Sequence, residues 1–383
     1  MRRMERPDVA PYDALLLVSF GGPDRPEDVV PFLQNVTRGR GIPRERLEAV
    51  GEHYFLFGGK SPINELNRTL LADIRADLGA HGIDLPVYWG NRNWEPFLAD
   101  TVAQMKADGV TRVACFATSA YSSYSSCRQY RENLAAASLD EGPVLDKIRL
   151  YFNHPGFLEP VVDAVSAATA SKPDARLVFV THSIPDTMNA GSGPMGGAYL
   201  AQHLDAASYV AGRVAEETGH THAHDLVFCS RSGPPQVPWL EPDVNDHLEK
   251  LAVEGVESVV LIPIGFVSDH MEVVYDLDTE AMETAARLGL DAARVATSGT
   301  DQRFVAMVRD LLVERAAVER GAVERESVER GESAERAAVG GWPACWDRCA
   351  ADCCPNPREP LPALSQLPEG QRPAGDYPAG VTG

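Results

Sequence analysis

A histidine stands where an apolar run, typical of a buried strand, opens into a loop. His182 follows Leu-Val-Phe-Val-Thr, and Ser-Ile-Pro comes directly after it. Because the residue before a proline avoids helical backbone, the chain is expected to turn here and to present the imidazole to a cleft. An imidazole changes its charge near neutral pH, so His182 could accept a proton from a substrate. A structural histidine held by hydrogen bonds is the alternative.

A row of acidic residues follows the last apolar run. It comprises Asp269, Glu272, Asp276 and Glu280, with His270 beside the first of them. The spacing i, i+3, i+7, i+11 would place the four carboxylates on one face of a helix. Oxygen ligands next to one imidazole suit a labile divalent cation or a proton relay. A solvated acidic face has the same spacing, but the apolar run leading directly into the row favours an interior cleft.

Four of the seven cysteines crowd into ten residues near the C-terminus, namely Cys345, Cys349, Cys353 and Cys354. So many thiols in a reducing compartment indicate metal or redox chemistry, and an iron–sulfur cluster needs four of them. The side chains of the adjacent Cys353 and Cys354 diverge, so a further ligand from elsewhere in the chain is attractive. A zinc site made by the tail alone and free thiols are the alternatives. Cys115 and Cys229 fall within apolar runs and are expected to be core residues.

Glycine-rich loops near the N-terminus do not indicate a nucleotide site. Gly58-Gly59-Lys60-Ser61 and similar loops match neither the Walker nor the dinucleotide pattern between a strand and a helix. Arg38, Arg40, Ser61 and the Ser-Tyr run at 121–126 could instead hold carboxylates on a planar, largely apolar ligand. A plain polar loop is the other explanation of the Ser-Tyr run.

These residues must be positioned by the apolar runs that precede them. Six such runs alternate with longer amphipathic stretches, at 13–20, 85–90, 110–117, 176–181, 225–229 and 256–264. Continuous apolar runs between helical patterns predict parallel sheets covered on both faces. Three runs precede residue 150 and three follow residue 170, so we expect an α/β protein with two doubly wound, Rossmann-like domains and a cleft between them.

Composition narrows the class of protein. The 383 residues contain 35 Lys and Arg against 55 Asp and Glu, so the net charge is −20. That charge would repel a phosphate backbone, and nucleic-acid binding is not expected. The N-terminus has no apolar stretch of a secretory signal, and no apolar run approaches the ~18 residues of a membrane span. We therefore expect a cytoplasmic protein without a transmembrane segment.

The predicted organisation follows from these patterns. Val-Glu-Arg recurs every five residues from 313, a period that keeps no apolar stripe on one face of a helix, so a solvated linker is expected there. The last residues are rich in Pro and Gly, which indicates disorder. The segments are an N-terminal tail (1–11), two Rossmann-like domains (12–165 and 166–312), a charged linker (313–340), a cysteine-rich segment (341–358) and a disordered tail (359–383).

Several motifs together resemble the ferrochelatases. They are Leu-Leu-Val-Ser-Phe-Gly-Gly-Pro at 16–23, Gly-Gly-Lys-Ser-Pro-Ile at 58–63, Phe-Val-Thr-His-Ser-Ile-Pro at 179–185, Gly-Pro-Pro-Gln-Val-Pro-Trp-Leu-Glu-Pro at 233–242 and Ile-Pro-Ile-Gly-Phe-Val-Ser-Asp-His-Met-Glu at 262–272. The resemblance implies the chelatase fold, with a porphyrin held between two domains and Fe²⁺ inserted into it during haem synthesis. It also implies that His182 and Glu272 are catalytic and contact the metal. Asp269, His270, Asp276 and Glu280 would then be a proton or metal relay.

The resemblance extends to substrate and cofactor. The C-terminal cysteines look like those of actinobacterial ferrochelatases, which implies coproporphyrin III as substrate and a [2Fe–2S] cluster. Its ligands would be the internal Cys127 and three of the four tail cysteines, Cys345, Cys349, Cys353 and Cys354. Phe20 stands where some relatives have a tyrosine that contacts iron. The candidates for binding the porphyrin are Phe20 and, for its four propionates, Arg38, Arg40, Ser61, Tyr124 and Tyr130. A cobalt or nickel chelatase and a non-catalytic haem or solute carrier are the rival functions, and a monomer is favoured.

Overall fold

Two four-stranded parallel sheets form the framework of the chain. The structure is a computed structural model that describes residues 7–39, 41–321, 336–373, 377, 378 and 380. The strands of the first sheet are β1 (Ala14–Ser19), β2 (Val87–Asn91), β3 (Arg112–Ala117) and β4 (Val144–Lys147). Those of the second are β5 (Arg176–His182), β6 (His224–Cys229), β7 (Ser258–Ile262) and β8 (Asp291–Arg294). The predicted α/β architecture with two doubly wound parallel sheets is confirmed.

Helices connect the strands and cover both faces of each sheet. In the described ranges they are α1 (Val29–Val36), α2 (Arg44–Phe55), α3 (Ile63–Ala80), α4 (Leu98–Ala107), α5 (Gln129–Ala137), α6 (Pro155–Thr169), α7 (Asp186–Ala190), α8 (Ala198–Thr218), α9 (Val244–Val253), α10 (Met282–Leu288) and α11 (Gln302–Glu319). Two π-helices, Tyr124–Arg128 and Val273–Ala281, precede α5 and α10. Within the described ranges, every helix is too short or too polar to span a bilayer.

The side chains of each central strand alternate between two buried faces of the sheet. In β1, Leu15 and Leu17 join the largest apolar cluster, while Leu16 points to a separate cluster on the opposite face. A strand places successive side chains on opposite faces, so an unbroken apolar run is what a sheet covered on both sides requires. Leu177 and Phe179 of β5 belong to the same cluster as Leu15. The two sheets therefore share one core.

Both sheets have the same strand order, which locates a cleft at the same place in each. The orders are β2-β1-β3-β4 and β6-β5-β7-β8. In each sheet the chain runs to one side of the first strand and then crosses to the other, so a crevice opens between β1 and β3 and between β5 and β7. Ligands of such sheets bind in this crevice, at the carboxyl ends of the strands.

Two strands were not predicted, and two segment bounds were wrong. The missed strands β4 and β8 lie at sheet edges and carry charged residues, so they contain no apolar run. Helix α6 continues to Thr169, so the boundary predicted at 165/166 falls inside a helix. Helix α11 continues to Glu319, beyond the predicted start of the linker at 313.

Charge pairing explains why the start of the Val-Glu-Arg repeat is packed. The side chain of Arg315 is only 3% exposed, and it pairs with Glu319 at 2.9 Å and with Asp347 at 3.3 Å. A buried guanidinium is tolerated when carboxylates surround it, so a charged repeat need not be solvated. The linker prediction is therefore wrong for residues 313–319, and residues 322–335 lie outside the described ranges.

The C-terminal segment packs back onto the first sheet's side of the molecule. Leu364 N–H donates to the carbonyl of Arg131 at 3.1 Å, and Leu367 N–H donates to the carbonyl of Cys349 at 2.7 Å. Arg336 pairs with Asp347 at 2.7 Å, and both side chains are almost fully buried. The prediction of a disordered tail from residue 359 is therefore wrong for residues 359–373, because backbone hydrogen bonds hold this proline-rich chain without regular structure.

Candidate active site

His182 and Glu272 meet at the crevice of the second sheet. His182 is the last residue of β5, and Glu272 follows the loop after β7. The two residues therefore lie on either side of the crevice between β5 and β7. Nε2 of His182 lies 3.5 Å from Oε1 of Glu272, and the two side chains are 33% and 43% exposed. Nδ1 of His182 donates to the carbonyl of Ser183, which can only accept, so Nε2 is the atom directed at Glu272.

A second imidazole holds the other oxygen of Glu272. Val273 N–H donates to Nδ1 of His270 at 3.4 Å, so the ring proton of His270 is on Nε2. That Nε2 donates to Oε2 of Glu272 at 3.0 Å. Glu272 therefore lies between two imidazoles, and each carboxylate oxygen faces a different one.

These contacts shift the pKa values of the pair in opposite directions. Burial alone would lower the pKa of His182, but the charge and hydrogen bond of Glu272 raise it to about 9. Although burial opposes its ionisation, Glu272 has a pKa well below the usual range because His182 and His270 stabilise the carboxylate. The free site therefore carries an imidazolium beside a carboxylate at neutral pH.

The acidic row continues on a π-helix rather than on an α-helix. Asp276 accepts a hydrogen bond from Ser230 at the end of β6. Burial, together with the charges of Glu272 and Glu280, raises the pKa of Asp276 to about 6 in spite of that hydrogen bond. The wider turn of a π-helix brings residues four apart onto one side, so Glu272, Asp276 and Glu280 form the row. A carboxyl group with a pKa near 6 can both take up and release a proton at neutral pH.

Asp269 lies apart from this row. Its carboxylate accepts from Arg294 at 3.0 Å and from Thr297 at 3.0 Å. Arg294 also binds Asp278, so it ties the loop before the π-helix to the solvent side of the helix. The four carboxylates therefore do not share the single helical face that their spacing predicts, because the chain is not helical at Asp269.

Aromatic side chains form a wall near these carboxylates. Phe32 makes edge contacts with Phe20 at 6.3 Å, with Tyr54 at 6.1 Å and with Trp94 at 6.2 Å between ring centroids. Burial and, after it, the charge of Glu272 raise the pKa of Tyr54. Phe32 itself is buried, so the partly exposed rings of Phe20, Tyr54 and Trp94 are the ones that could contact an apolar ligand. Tyr54 and Trp94 were not predicted, because isolated aromatic residues carry no periodic signal.

The helix that carries Tyr54 also contacts the π-helix directly. The ring of His53 in α2 stacks on Tyr275 with centroids 3.8 Å apart and planes 9° from parallel. Tyr275 lies one residue before Asp276, so this contact joins the side of the first sheet to the acidic row.

The predicted carboxylate-binding residues have different surroundings. Arg38 is exposed and donates to Asn35, whereas Ser61 is buried beside the start of α3. Tyr124 is half-buried and directed at Glu132, at 3.4 Å, and Tyr130 is buried. Arg40 lies outside the described residues.

Arg92 is a cation near this region that was not singled out from the sequence. Its guanidinium lies over the rings of Tyr130 at 4.4 Å and Phe20 at 5.5 Å, and it donates to Asn133 at 2.6 Å. Its position directly after β2, at the carboxyl end of a strand, was the available signal.

Four buried thiols converge at a second location. Hydrogen bonding with Cys127 and Cys353 holds the pKa of Cys349 well below its usual range. Cys353 donates to Cys354 at 3.8 Å, so the expectation that these adjacent side chains diverge is wrong. Cys345 points instead toward Gln202, at 3.9 Å, and burial raises its pKa to about 12. The structure thus brings Cys127 to three of the four tail cysteines.

Neighbouring N–H groups point at the same thiols. Trp346 Nε1 donates to Cys349 at 3.2 Å, and Gly193 N–H donates to Cys354 at 3.2 Å. Across the described ranges, no three His, Cys, Asp or Glu side chains have the arrangement of a single-ion metal site. Cys115 and Cys229 are buried in β3 and β6, as expected of core residues.

Comparison with known proteins places this geometry in a family. The ferrochelatase family model matches residues 12–316, which include both sheets and the His182–Glu272 pair. The chain belongs to the ferrochelatase family. It is 58% identical to the coproporphyrin III ferrochelatase of Streptomyces griseus subsp. griseus over 374 residues, covering 94% of this chain and 97% of the relative. The coproporphyrin III ferrochelatase of Streptomyces coelicolor is 56% identical over the same shares of the two chains.

The solved structures that match this ferrochelatase family member are more distant. SirB from Bacillus subtilis with Fe³⁺ is 14% identical, with a TM-score of 0.46 over 80% of this chain and 97% of that chain. CbiX, described as the terminal enzyme for biosynthesis of siroheme in denitrifying bacteria, is 14% identical with a TM-score of 0.43. These similarities are too distant to bear on the activity.

Proposed function

We propose that this protein inserts Fe²⁺ into coproporphyrin III, with release of two protons, during haem synthesis. The observation that carries the proposal is the His182–Glu272 pair, 3.5 Å apart, at the crevice of the second sheet. The partly exposed rings of Phe20 and Trp94, which pack edge-on against the buried Phe32, offer apolar surface to the porphyrin. The names of the Streptomyces relatives support the substrate. Two Rossmann-like domains with the porphyrin between them, and a cytoplasmic monomer, belong to the same proposal.

The proton balance of the reaction explains why the site needs these groups. One Fe²⁺ replaces two pyrrole protons, so a base must face the macrocycle and the protons must leave the cleft. His182 holds a proton that Glu272 stabilises in the free site. The approaching cation disfavours that imidazolium, so the proton passes to Glu272 and on to Asp276, whose pKa is about 6. Nε2 of His182 is then free to accept a pyrrole proton or to hold the iron.

The remaining site residues have supporting roles in this proposal. His270 keeps Glu272 oriented through its hydrogen bond of 3.0 Å, and Glu280 continues the row away from the pair. Asp269 acts through Arg294 by fixing the loop that leads to His270. A closed cleft that bends the ring would expose the pyrrole N–H groups to His182, which uses binding energy to strain the substrate.

Substrate choice gives the first test. Coproporphyrin III should have a higher kcat/KM than protoporphyrin IX, because its four propionates can engage more cationic and hydroxyl groups than two can. The measurement is the change in porphyrin absorbance with Fe²⁺ under anaerobic conditions, with the two porphyrins in parallel. Turnover beyond one equivalent would exclude a carrier, and the same assay with Co²⁺ and Ni²⁺ would test the rival chelatases. A clear preference for protoporphyrin IX would contradict the proposed substrate.

The converging thiols support a [2Fe–2S] cluster as a resident cofactor. The chemistry of the donors fits, since a cluster of this type takes four thiolates, and N–H groups directed at sulfur stabilise their charge. Cys127, Cys349, Cys353 and Cys354 would hold it, and Cys345 would not. The nearby charge of Arg131 favours thiolates at this location. Such a cluster would supply reversible one-electron chemistry, and no step of the proposed reaction requires it.

Removing one proposed ligand should remove the cluster. Anaerobically purified protein should be reddish brown with about two iron and two sulfide per chain. Cys127→Ser should bleach it, whereas Cys345→Ser should keep the visible absorbance, because Cys345 faces Gln202 instead. The measurements are the visible absorbance of each protein and its contents of iron, sulfide and zinc. A colourless wild-type protein with zinc, or full absorbance in Cys127→Ser, would contradict the assignment.

A further inference from the structure

A buried group of polar side chains lies behind His182, on the side away from the cleft. It consists of Tyr121, Thr181, Tyr199 and His203, which we call the strand-end clamp. Their exposed fractions are 2%, 1%, 5% and 0%. Thr181 precedes His182 in β5, Tyr199 and His203 lie one turn apart on α8, and Tyr121 follows β3 of the first sheet. None of the four is exposed enough to touch a porphyrin.

The clamp holds the backbone of the two strand ends that bear the catalytic pair. The Tyr199 hydroxyl donates to the carbonyl of His182 at 2.8 Å. The Tyr121 hydroxyl donates to the carbonyl of Ile264 at 3.0 Å, in the loop that leads from β7 toward Glu272. The rings of Tyr121 and His203 stack with centroids 3.6 Å apart, which joins the two tyrosines through one imidazole.

The donor and the acceptor of each hydrogen bond in the clamp can be assigned. Nδ1 of His203 lies 2.7 Å from the carbonyl of Tyr199, which only accepts, so the ring proton is on Nδ1. Burial lowers the pKa of His203 to about 3, so Nε2 is unprotonated and accepts from the Thr181 hydroxyl at 2.9 Å. The single hydrogen of Tyr199 is then directed at two acceptors, the His182 carbonyl and Thr181 Oγ1, at 2.8 Å and 3.0 Å.

Packing leaves little room for the clamp to shift. A Cβ added at Gly265 would collide with Thr181, so the loop after β7 lies directly on the clamp. The N–H of Gly265 also donates to the carbonyl of Val180 in β5 at 3.2 Å. A displacement of Thr181 would therefore shift the loop that leads to Glu272 as well as His182.

We propose that the strand-end clamp positions His182 against Glu272 by fixing the backbone carbonyls of both strand ends, and that Tyr199 is its central positioning residue. The inference rests on the proposed role of this pair in iron insertion. Small errors in the placement of reacting groups are costly, since a displacement of about 1 Å can lower a rate by ~10²-fold. A merely structural clamp would instead affect stability and substrate binding together.

Tyr199→Phe is the direct test, because it removes only the hydroxyl. It should lower kcat by about tenfold while the KM for the porphyrin stays within about twofold. Tyr209→Phe is the matched control, because Tyr209 lies on the same helix and its hydroxyl binds Glu159 on the surface side. The control should keep wild-type kcat, and the two melting temperatures should agree within about 4 °C. An unchanged kcat in Tyr199→Phe, or an equal fall in the control, would overturn the proposal.

A second pair of variants keeps the test informative if Tyr199→Phe does not fold. Thr181→Ser retains the hydroxyl and should keep kcat near wild type, whereas Thr181→Val should lower it as Tyr199→Phe does. Equal kcat values for the Thr181→Ser and Thr181→Val variants would overturn the proposal.

A readout that needs no turnover separates this inference from the proposed function. The ring resonances of His182, followed by NMR without porphyrin, should move in Tyr199→Phe and stay in place in Tyr209→Phe. An inactive wild type with this difference would refute iron insertion and leave the positioning role standing. Unmoved resonances would refute the positioning role whatever the activity.

Discussion

His182→Ala should abolish iron insertion while the protein remains folded. In the proposed reaction the imidazole accepts a pyrrole proton or holds the iron, and loss of a general base alone costs ~10²–10⁴-fold in rate. The side chain lies at a strand end and is 33% exposed, so its removal leaves no large cavity in the core. Anaerobic turnover of coproporphyrin III and the melting temperature measure the two effects separately.

A matched histidine variant controls for the loss of an imidazole as such. His220→Ala changes an exposed histidine before β6 and should keep wild-type turnover. Both variants should retain the circular dichroism spectrum and the porphyrin-binding affinity of the wild type within about threefold. Near-normal turnover in His182→Ala would remove the central assignment.

Glu272→Gln should lower kcat by ~10²–10⁴-fold, because the amide cannot carry a proton between His182 and Asp276. It should also change the charge of His182. The charge and hydrogen bond of the carboxylate raise the pKa of His182 to about 9 against the effect of burial, so the pKa of His182 should be lower in the variant. The imidazolium should therefore lose its proton at a lower pH than in the wild type.

NMR titration of the His182 ring and steady-state kinetics measure these two effects. Glu249→Gln is the control, because Glu249 is an exposed carboxylate on α9 whose partner is the surface residue Arg287. This control should leave both the kcat and the His182 pKa unchanged. A loss of activity in Glu272→Gln that is accounted for by unfolding would indicate a structural carboxylate instead.

Six of the eight described strands were predictable because their burial leaves an unbroken apolar run. All six predicted runs correspond to β1, β2, β3, β5, β6 and β7 within a few residues. The edge strands β4 and β8 were not predictable in this way, since an edge strand with a solvated side can carry charged residues. Arg315 illustrates the opposite error, because a charged residue was assigned to solvent although its partners bury it.

The proposed catalytic pair, His182 and Glu272, was visible in the sequence for a related reason. Parallel strands end at the same edge of a sheet, so polar residues directly after apolar runs can be assigned to one cleft. His182 and Glu272 follow this rule. Arg92 also follows this rule, although no role was predicted for it. Tyr54 and Tyr199 were missed because each contributes through contacts with residues far away in the chain.

The sequence by itself determined the two parallel sheets, the strand ends that bear His182 and Glu272, and the supply of thiols near the C-terminus. Only the tertiary structure decided which groups meet. Cys345 and Cys349 are four residues apart, yet Cys349 contacts Cys127 and Cys345 faces Gln202. Likewise, Tyr199 reaches the carbonyl of His182 because α8 packs behind β5. Local residue patterns report which faces are buried, whereas the choice of partner across elements depends on packing in three dimensions, which no local pattern contains.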